Sequence, residues 1–420
     1  MKRNNVFSLK KVYFWNTMGG VFSAAFFPVL VMMITRMKGT YDAGIFSLGY
    51  ANALLLQHVG SFDSRSYQCT ERTGKFDFSD FLTFRFVTSL IMIIAMFALV
   101  CINKYSVEKI IITIELCVFC VFNNISDIFQ GNAQKNNRLD IAGISLTIRT
   151  MICIFAFGSI LIVSHNIYVA TLLIIICTII WILYFDIREN KKISKWDINF
   201  DAEKVKLLFW ATIPLFLSLF FQMFIYNIPK YAIDEKMSVD SQAIYSILFV
   251  PASVVTLLGN IVFRPILVNL SLIWENKKYK KVLIICVKRI GLLMILTVGI
   301  LIGGYLFGTQ ILTLVYAVDI TAYKRELLIL LLGGGFTGIT TLLYFVVTVV
   351  GKQHIMVLCY VITFISSLFI ARPLVIKYGL MGAALCYLVT SFLLNILLFL
   401  LIVTSITKKS LKLKSEQECM

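Results

Sequence analysis

Apolar blocks of about 20 residues recur from one end of this chain to the other, separated by short polar connectors. A block of that length crosses a hydrocarbon core of roughly 30 Å. In that medium every backbone N–H and C=O must be satisfied within the spanning structure, so each block is a helix or part of a closed barrel. Barrel strands alternate in hydrophobicity over about ten residues, and these blocks do not alternate. The reading is an all-α polytopic membrane protein. A mean hydropathy of +0.87 over 420 residues agrees, since ordinary soluble domains mix apolar and polar residues far more evenly.

The blocks predict twelve spans, near 12–35, 43–62, 81–102, 107–129, 141–163, 167–187, 207–229, 242–270, 282–306, 326–350, 354–371 and 380–402. Pro28 predicts a kink in the first, and the semi-polar stretch 307–323 is expected along the outer surface. The formal charge of +17 would suggest nucleic acid in a soluble protein. Here most of the Lys and Arg residues sit in connectors, concentrated in alternate ones. That pattern is positive-inside topology, with both termini cytoplasmic and no nucleic-acid partner. The basic run at 188–206 is the strongest composition break. It divides an N-terminal six-helix bundle (1–187) from a C-terminal one (207–403), with a cytoplasmic tail at 404–420.

The stretch 14–65 resembles the stretch 209–264. Phe14, Trp15 and Thr17 align with Phe209, Trp210 and Thr212; Arg36 aligns with Lys230, and Arg65 with Arg264. An even number of spans separates the copies, so the repeat is parallel, about a pseudo-twofold along the membrane normal.

Charges inside spans cost roughly 2.5–3.5 kcal/mol on insertion scales, so they face a cavity or a partner. Arg85 and Arg149 qualify by depth, and Arg36, Arg65, Lys230 and Arg264 by the repeat. An arginine presents a planar fork suited to phosphate oxygens, so these six are candidate contacts for an anionic, phosphate-bearing substrate. Asp63, Glu115 and Asp127 are candidate proton or sodium sites, or counter-charges to a neighbouring cation. Glu115 and Arg149 are deep enough to suggest an internal ion pair. Cys117 and Cys120 have CxxC spacing inside one span with no second pair, so no metal site or cofactor is expected. No HExxH, Walker or GxSxG motif occurs, and no enzyme activity is expected.

Four stretches carry a resemblance: RMKGTYDAGIFSLGYA at 36–51, FQGNAQKNNRLDIAGISLTIR at 129–149, YNIPKYAID with AIYSILFVP at 226–251, and YGLMGAALCYLVTSFLLNILLFLL at 378–401. Together, in this order, they resemble polysaccharide flippases of the Wzx type, in the multidrug/oligosaccharidyl-lipid/polysaccharide exporter superfamily. The resemblance implies two six-helix bundles in a MATE-like V around a central cavity. It implies an undecaprenyl-pyrophosphate-linked oligosaccharide, flipped by alternating access across the bacterial cytoplasmic (inner) membrane for O-antigen or capsule synthesis. It also implies H+ or Na+ as coupling ion, and membrane lipids, a polysaccharide polymerase and a chain-length regulator as partners. Two alternatives remain open from the residues. One is an ion-coupled drug or cation exporter, which should present a cavity dominated by carboxylates. The other is a membrane polysaccharide polymerase or ligase, which should present a large outer loop.

Overall fold

The computed structural model describes residues 2–70, 75–194, 200–263, 270, 273–274 and 276–418. Among them there is no strand. The chain divides into two compact units, Met1–Phe220 and Phe221–Met420.

Unit 1 opens with α1 (Lys2–Lys38) and α2 (Thr40–Ser61), turned at Gly39. Gly39 has φ +91°, a conformation that side chains with a Cβ avoid. A short α3 (Ser64–Thr70) follows, then α4 (Phe78–Asn103), α5 (Val107–Lys135), α6 (Leu139–Ser164) and α7 (Ile167–Ile193). Helix α4 starts at a reciprocal cap in which Asp77 and Asp80 each bond the other's backbone N–H. Asn166 caps α7 by accepting from the amides of Tyr168 and Val169. A π-helical turn at Ile182–Asp186 interrupts α7. Helix α8 (Ala202–Lys236) begins in unit 1, where Lys204 pairs with Asp80 at 2.9 Å. Around Phe62 a ring cluster closes this end, with Phe216 stacked at 4.1 Å and Phe209 at 5.0 Å between centroids.

Unit 2 takes the rest of α8, then α9 (Val239–Phe263), α10 (Tyr279–Tyr316), α11 (Lys324–Val350), α12 (Gln353–Tyr378) and α13 (Leu380–Glu418). Its core interleaves Cys286, Leu342, Val346, Met356, Tyr360, Leu394 and Leu398 from α10 to α13. At its centre Thr337 and Tyr387 share a hydroxyl hydrogen bond of 2.7 Å.

Ten of the described helices are long and apolar enough to cross a membrane, and Val239–Val255 is a shorter apolar segment. Helix α2 is not among the ten, because Asn52, Gln57, His58 and Ser61 dilute it. Several boundaries differ from the sequence expectation. The loop expected at 63–80 contains α3. The connector expected after residue 229 is helical to Lys236, and that expected at 372–379 is helical to Tyr378. Much of 307–323 continues α10 to Tyr316, through a π-turn at Gly304–Gly308. In the last three cases the helix continues past the apolar block, because helical hydrogen bonding does not stop where hydrophobicity does. Pro28, Pro251 and Pro373 lie inside unbroken helices. Residues 195–199 of the basic run lie outside the described residues.

Among the described residues, backbones approach closely at Gly143, Gly334 and Gly382. A Cβ on Gly143 of α6 would meet the Trp15 carbonyl carbon of α1 at 2.6 Å and the Asn16 nitrogen at 2.7 Å. A Cβ on Gly334 of α11 would meet the Ala252 carbonyl oxygen of α9 at 2.7 Å. Neither neighbour is a flexible side chain, so the helices themselves must move apart. Gly143→Ala is expected to destabilise the protein by about 1–3 kcal/mol in detergent thermal melts. Gly20→Ala, at a position with nothing within 4 Å, is expected to leave the melting temperature unchanged or raise it.

Candidate functional site: a polar cavity in the first unit

The turn from α2 into α3 sets the site. Phe62 and Asp63 both take left-handed backbone conformations, φ +48° and +46°. Non-glycine residues rarely hold this geometry, and it persists where the surroundings over-determine it. The Phe62 ring is fixed among Phe84, Phe209 and Phe216. Arg85 of α4, fully buried, donates to the Gly60 carbonyl and to Ser64 Oγ at 3.0 Å each, and Thr88 donates to the same carbonyl at 2.7 Å. These bonds satisfy a carbonyl that the end of α2 leaves orphaned. The chain is thereby turned so that Asp63, Arg65 and Ser66 face inward.

They face a cavity of about 440 Å³, a volume typical of small-ligand sites. Its charged lining is Asp63, Arg65, Asp127 and Arg149, joined by His58, Tyr50, Cys120 and Cys153; Asn123, Asn124, Gln57 and Gln130 add amides. Every lining residue belongs to unit 1. Arg65 Nη1 pairs with Asp127 Oδ1 at 2.6 Å, and its fork also reaches Gln130 at 3.4 Å and Gln134 at 3.0 Å. Asp127 Oδ2 lies 3.5 Å from Arg85. Ser66 donates to Asp63 at 2.8 Å.

Arg149 is different. It is 5% exposed, and its Nη1 has no hydrogen-bond partner among the described residues. The carboxylate acting most strongly on it is Asp186, at the end of the π-turn in α7. Asp186 is 2% exposed and spends both oxygens on hydroxyls: Ser126 of α5 at 2.5 Å and Ser145 of α6 at 2.6 Å. Ser145 in turn accepts from the Trp181 indole at 3.2 Å. Asp186 therefore supplies counter-charge while leaving the Arg149 N–H groups for something else. A buried, partly unsatisfied guanidinium facing a cavity is a seat for an anion.

The sequence candidates divide as follows. Arg65, Arg149, Asp63 and Asp127 line the cavity together. Arg85 does not; it braces the α2–α3 turn and backs Asp127. Arg36 is exposed in the last turn of α1, away from the cavity. Its alignment partner Lys230 is instead buried in unit 2, with Nζ 5.5 Å from the Phe249 ring centroid, so the two do not share an environment. Arg264 lies outside the described residues. Glu115 is buried with Oε2 unpartnered among the described residues, and no ion pair joins it to Arg149. The reason is height. Arg149 stands about 15 Å up α6 from the α5–α6 connection, and Glu115 about 30 Å up α5 from it, at 1.5 Å per residue. Depth counted from opposite ends concealed that difference. Asp186 was missed altogether, since its position beside Arg188 and Glu189 reads as the end of a span.

Asp63 lies between α2 and α3, outside the spanning segments. Burial pushes its carboxyl up to about 6, against the opposing pull of Ser66, Arg85 and Arg65. Below that pH it is neutral and the cavity is more positive; above it the carboxylate repels anions. Sulfate, which keeps one charge state from pH 5 to 8, is expected to bind the purified protein severalfold tighter at pH 5 than at pH 7. Asp63→Asn is expected to stay tight at both. A pH dependence that survives Asp63→Asn would rule out Asp63 as its source.

No protein-family model matches the chain. Among curated proteins, the capsular polysaccharide biosynthesis protein CapF of Staphylococcus aureus is 23% identical over 279 residues, covering 65% of this chain and 69% of that protein. Among solved structures, an inward-facing multidrug resistance MATE family transporter of the MOP superfamily superposes with a TM-score of 0.67 at 15% identity, over 92% of this chain and 95% of that one. The lipid II flippase MurJ, in its inward closed conformation, superposes with a TM-score of 0.68 at 16% identity, over 94% and 89%. The chain is a multi-pass membrane protein with the fold shared by MATE transporters and MurJ.

Proposed function

We propose that the chain flips an undecaprenyl-pyrophosphate-linked oligosaccharide from the inner to the outer leaflet of a bacterial cytoplasmic membrane, for surface polysaccharide synthesis. The observation that carries this reading is the unpartnered Arg149 Nη1 in a cavity that also presents Arg65. A diphosphate headgroup supplies several acceptor oxygens at once, and two arginine forks match them. The cavity volume suits the charged head and the sugar next to it, leaving the rest of the glycan outside.

The fold by itself favours neither a lipid-linked substrate nor an exported drug, because MATE and MurJ superpose about equally well. The charge arrangement supports the first. A drug cation would need an available carboxylate; Asp127 is already engaged by Arg65 and Arg85, and Asp63 is bonded by Ser66 and shares the cavity with two arginines. CapF, similar over two thirds of its length, is named for capsular polysaccharide biosynthesis, which agrees with the same reading. In this account Arg149 and Arg65 hold the diphosphate, Asp186 keeps Arg149 charged and in place, and Asp63 is the candidate for coupling to protons. The chain acts as a transporter and not as an enzyme, by alternating access, with membrane lipids around it and polymerase and chain-length regulator as downstream partners.

Deleting the gene is expected to abolish surface polysaccharide and to accumulate lipid-linked repeat units that an impermeant glycosidase outside the membrane does not reach. Arg149→Gln, inserted at wild-type level, is expected to restore no more than about a tenth of the polysaccharide, the loss of one charge-assisted contact. Full complementation by Arg149→Gln, or normal polysaccharide in the deletion strain, would overturn the proposal.

A further inference from the structure

Two arginines share one carboxylate at the cavity wall, and they share it unequally. Asp127 Oδ1 is 2.6 Å from Arg65 Nη1, while Oδ2 is 3.5 Å from Arg85 Nη2. The two cations are differently placed. Arg65 and Asp127 line the cavity and are each about 30% exposed in their side chains; Arg85 is fully buried behind them. Arg85 is held still by the Gly60 carbonyl and Ser64, and its Nε has no partner among the described residues. Arg65 is aimed by two neutral amides, Gln130 and Gln134, which lie one and two turns beyond Asp127 on α5.

We propose that Asp127 is a built-in substitute for the ligand's phosphate: it occupies Arg65 while the cavity is empty, and passes to Arg85 when a phosphate oxygen takes Arg65. This rests on the reading of the cavity as a diphosphate site. The exchange needs only a rotation of the Asp127 side chain, because its second oxygen already points at the receiving cation. In both states every cation of the trio keeps an anion, so no buried charge is stripped at any stage, which is where breaking a buried pair is expensive. The amides of Gln130 and Gln134 stay in place and keep the Arg65 fork pointed at whichever anion is present.

The device answers a problem that any carrier of a multiply charged headgroup faces. A site whose two cavity arginines stood unopposed would hold a diphosphate too tightly to release it. A tethered carboxylate competes at high effective concentration and never diffuses away. It weakens ground-state binding and speeds departure. It also prevents Arg65 from collapsing onto some other carbonyl when the cavity is empty.

The test is equilibrium binding of inorganic pyrophosphate to the purified full chain, at fixed pH and ionic strength. Asp127→Asn is expected to bind about tenfold tighter than wild type, one charged competitor having been removed. Asp127→Glu, which restores the competitor, is expected to return toward wild type. Arg85→Gln is expected to weaken binding by a larger factor in the wild-type background, where Asp127 also loses its receiver, than in the Asp127→Asn background, where only the bracing of the α2–α3 turn is lost. Thermal melting confirms that each variant is folded, and Asp127→Ser replaces Asp127→Asn if that variant is not. Unchanged or weaker binding in the neutral variant overturns the proposal. So does an equal effect of Arg85→Gln in both backgrounds, which would mean that Arg85 acts through the α2–α3 turn and not through Asp127. These readouts follow anion exchange alone. Normal polysaccharide in the deletion strain would remove the transport reading while leaving the exchange standing.

Discussion

A guanidinium group in the interior of a membrane bundle must be solvated by something, and the first unit is arranged around that demand. Arg149 carries the problem in its plainest form, 5% exposed with Nη1 unpartnered. A direct ion pair would have solved it and closed the site. The chain instead places Asp186 nearby with both oxygens already committed to Ser126 and Ser145. The carboxylate then compensates through its field and not through a bond. What remains is a charged donor set that is stable in place and still short of an acceptor, which distinguishes a binding site from a structural pair.

The other cations of this unit are treated differently, and the contrast is informative. Arg85 is spent on the backbone of the α2–α3 turn. Arg65 is held against Asp127 and two amides at the cavity wall. One arginine thus builds the site, one is reserved, and one is open. The π-turn at Ile182–Asp186 places Asp186 where α5 and α6 both reach it. Extra residues inserted into a helix in this way often mark functional positions, because they re-aim one side chain without breaking the helix.

Much of this was legible in the sequence, for reasons that follow from the solvent. Hydrocarbon thickness fixes helix length, so spans announce themselves as apolar blocks. Charges inside those blocks or at their ends announce themselves as well, and Arg65, Arg149, Asp63 and Asp127 do line the cavity. Pairing was not legible. Arg65 meets Asp127 across 62 residues of sequence, and no local spacing encodes that. Glu115 and Arg149 looked like a pair because depth along one helix says nothing about height along its neighbour. Asp186 escaped notice because a carboxylate at the end of a span, next to basic residues, has an ordinary interfacial explanation. Helix α2 shows the converse: its weaker apolar character is the mark of a cavity wall, readable only once the wall is known.

Transport of a diphosphate headgroup by this cavity requires Arg149 to be the seat of an anion. The most direct measurement is a density map of the purified protein with a diphosphate bound at saturating concentration. Density for the anion is expected within hydrogen-bond distance of Arg149 Nη1, in the cavity that Arg65 shares. Diphosphate density elsewhere, with Arg149 unchanged and its Nη1 still without an acceptor, would contradict it.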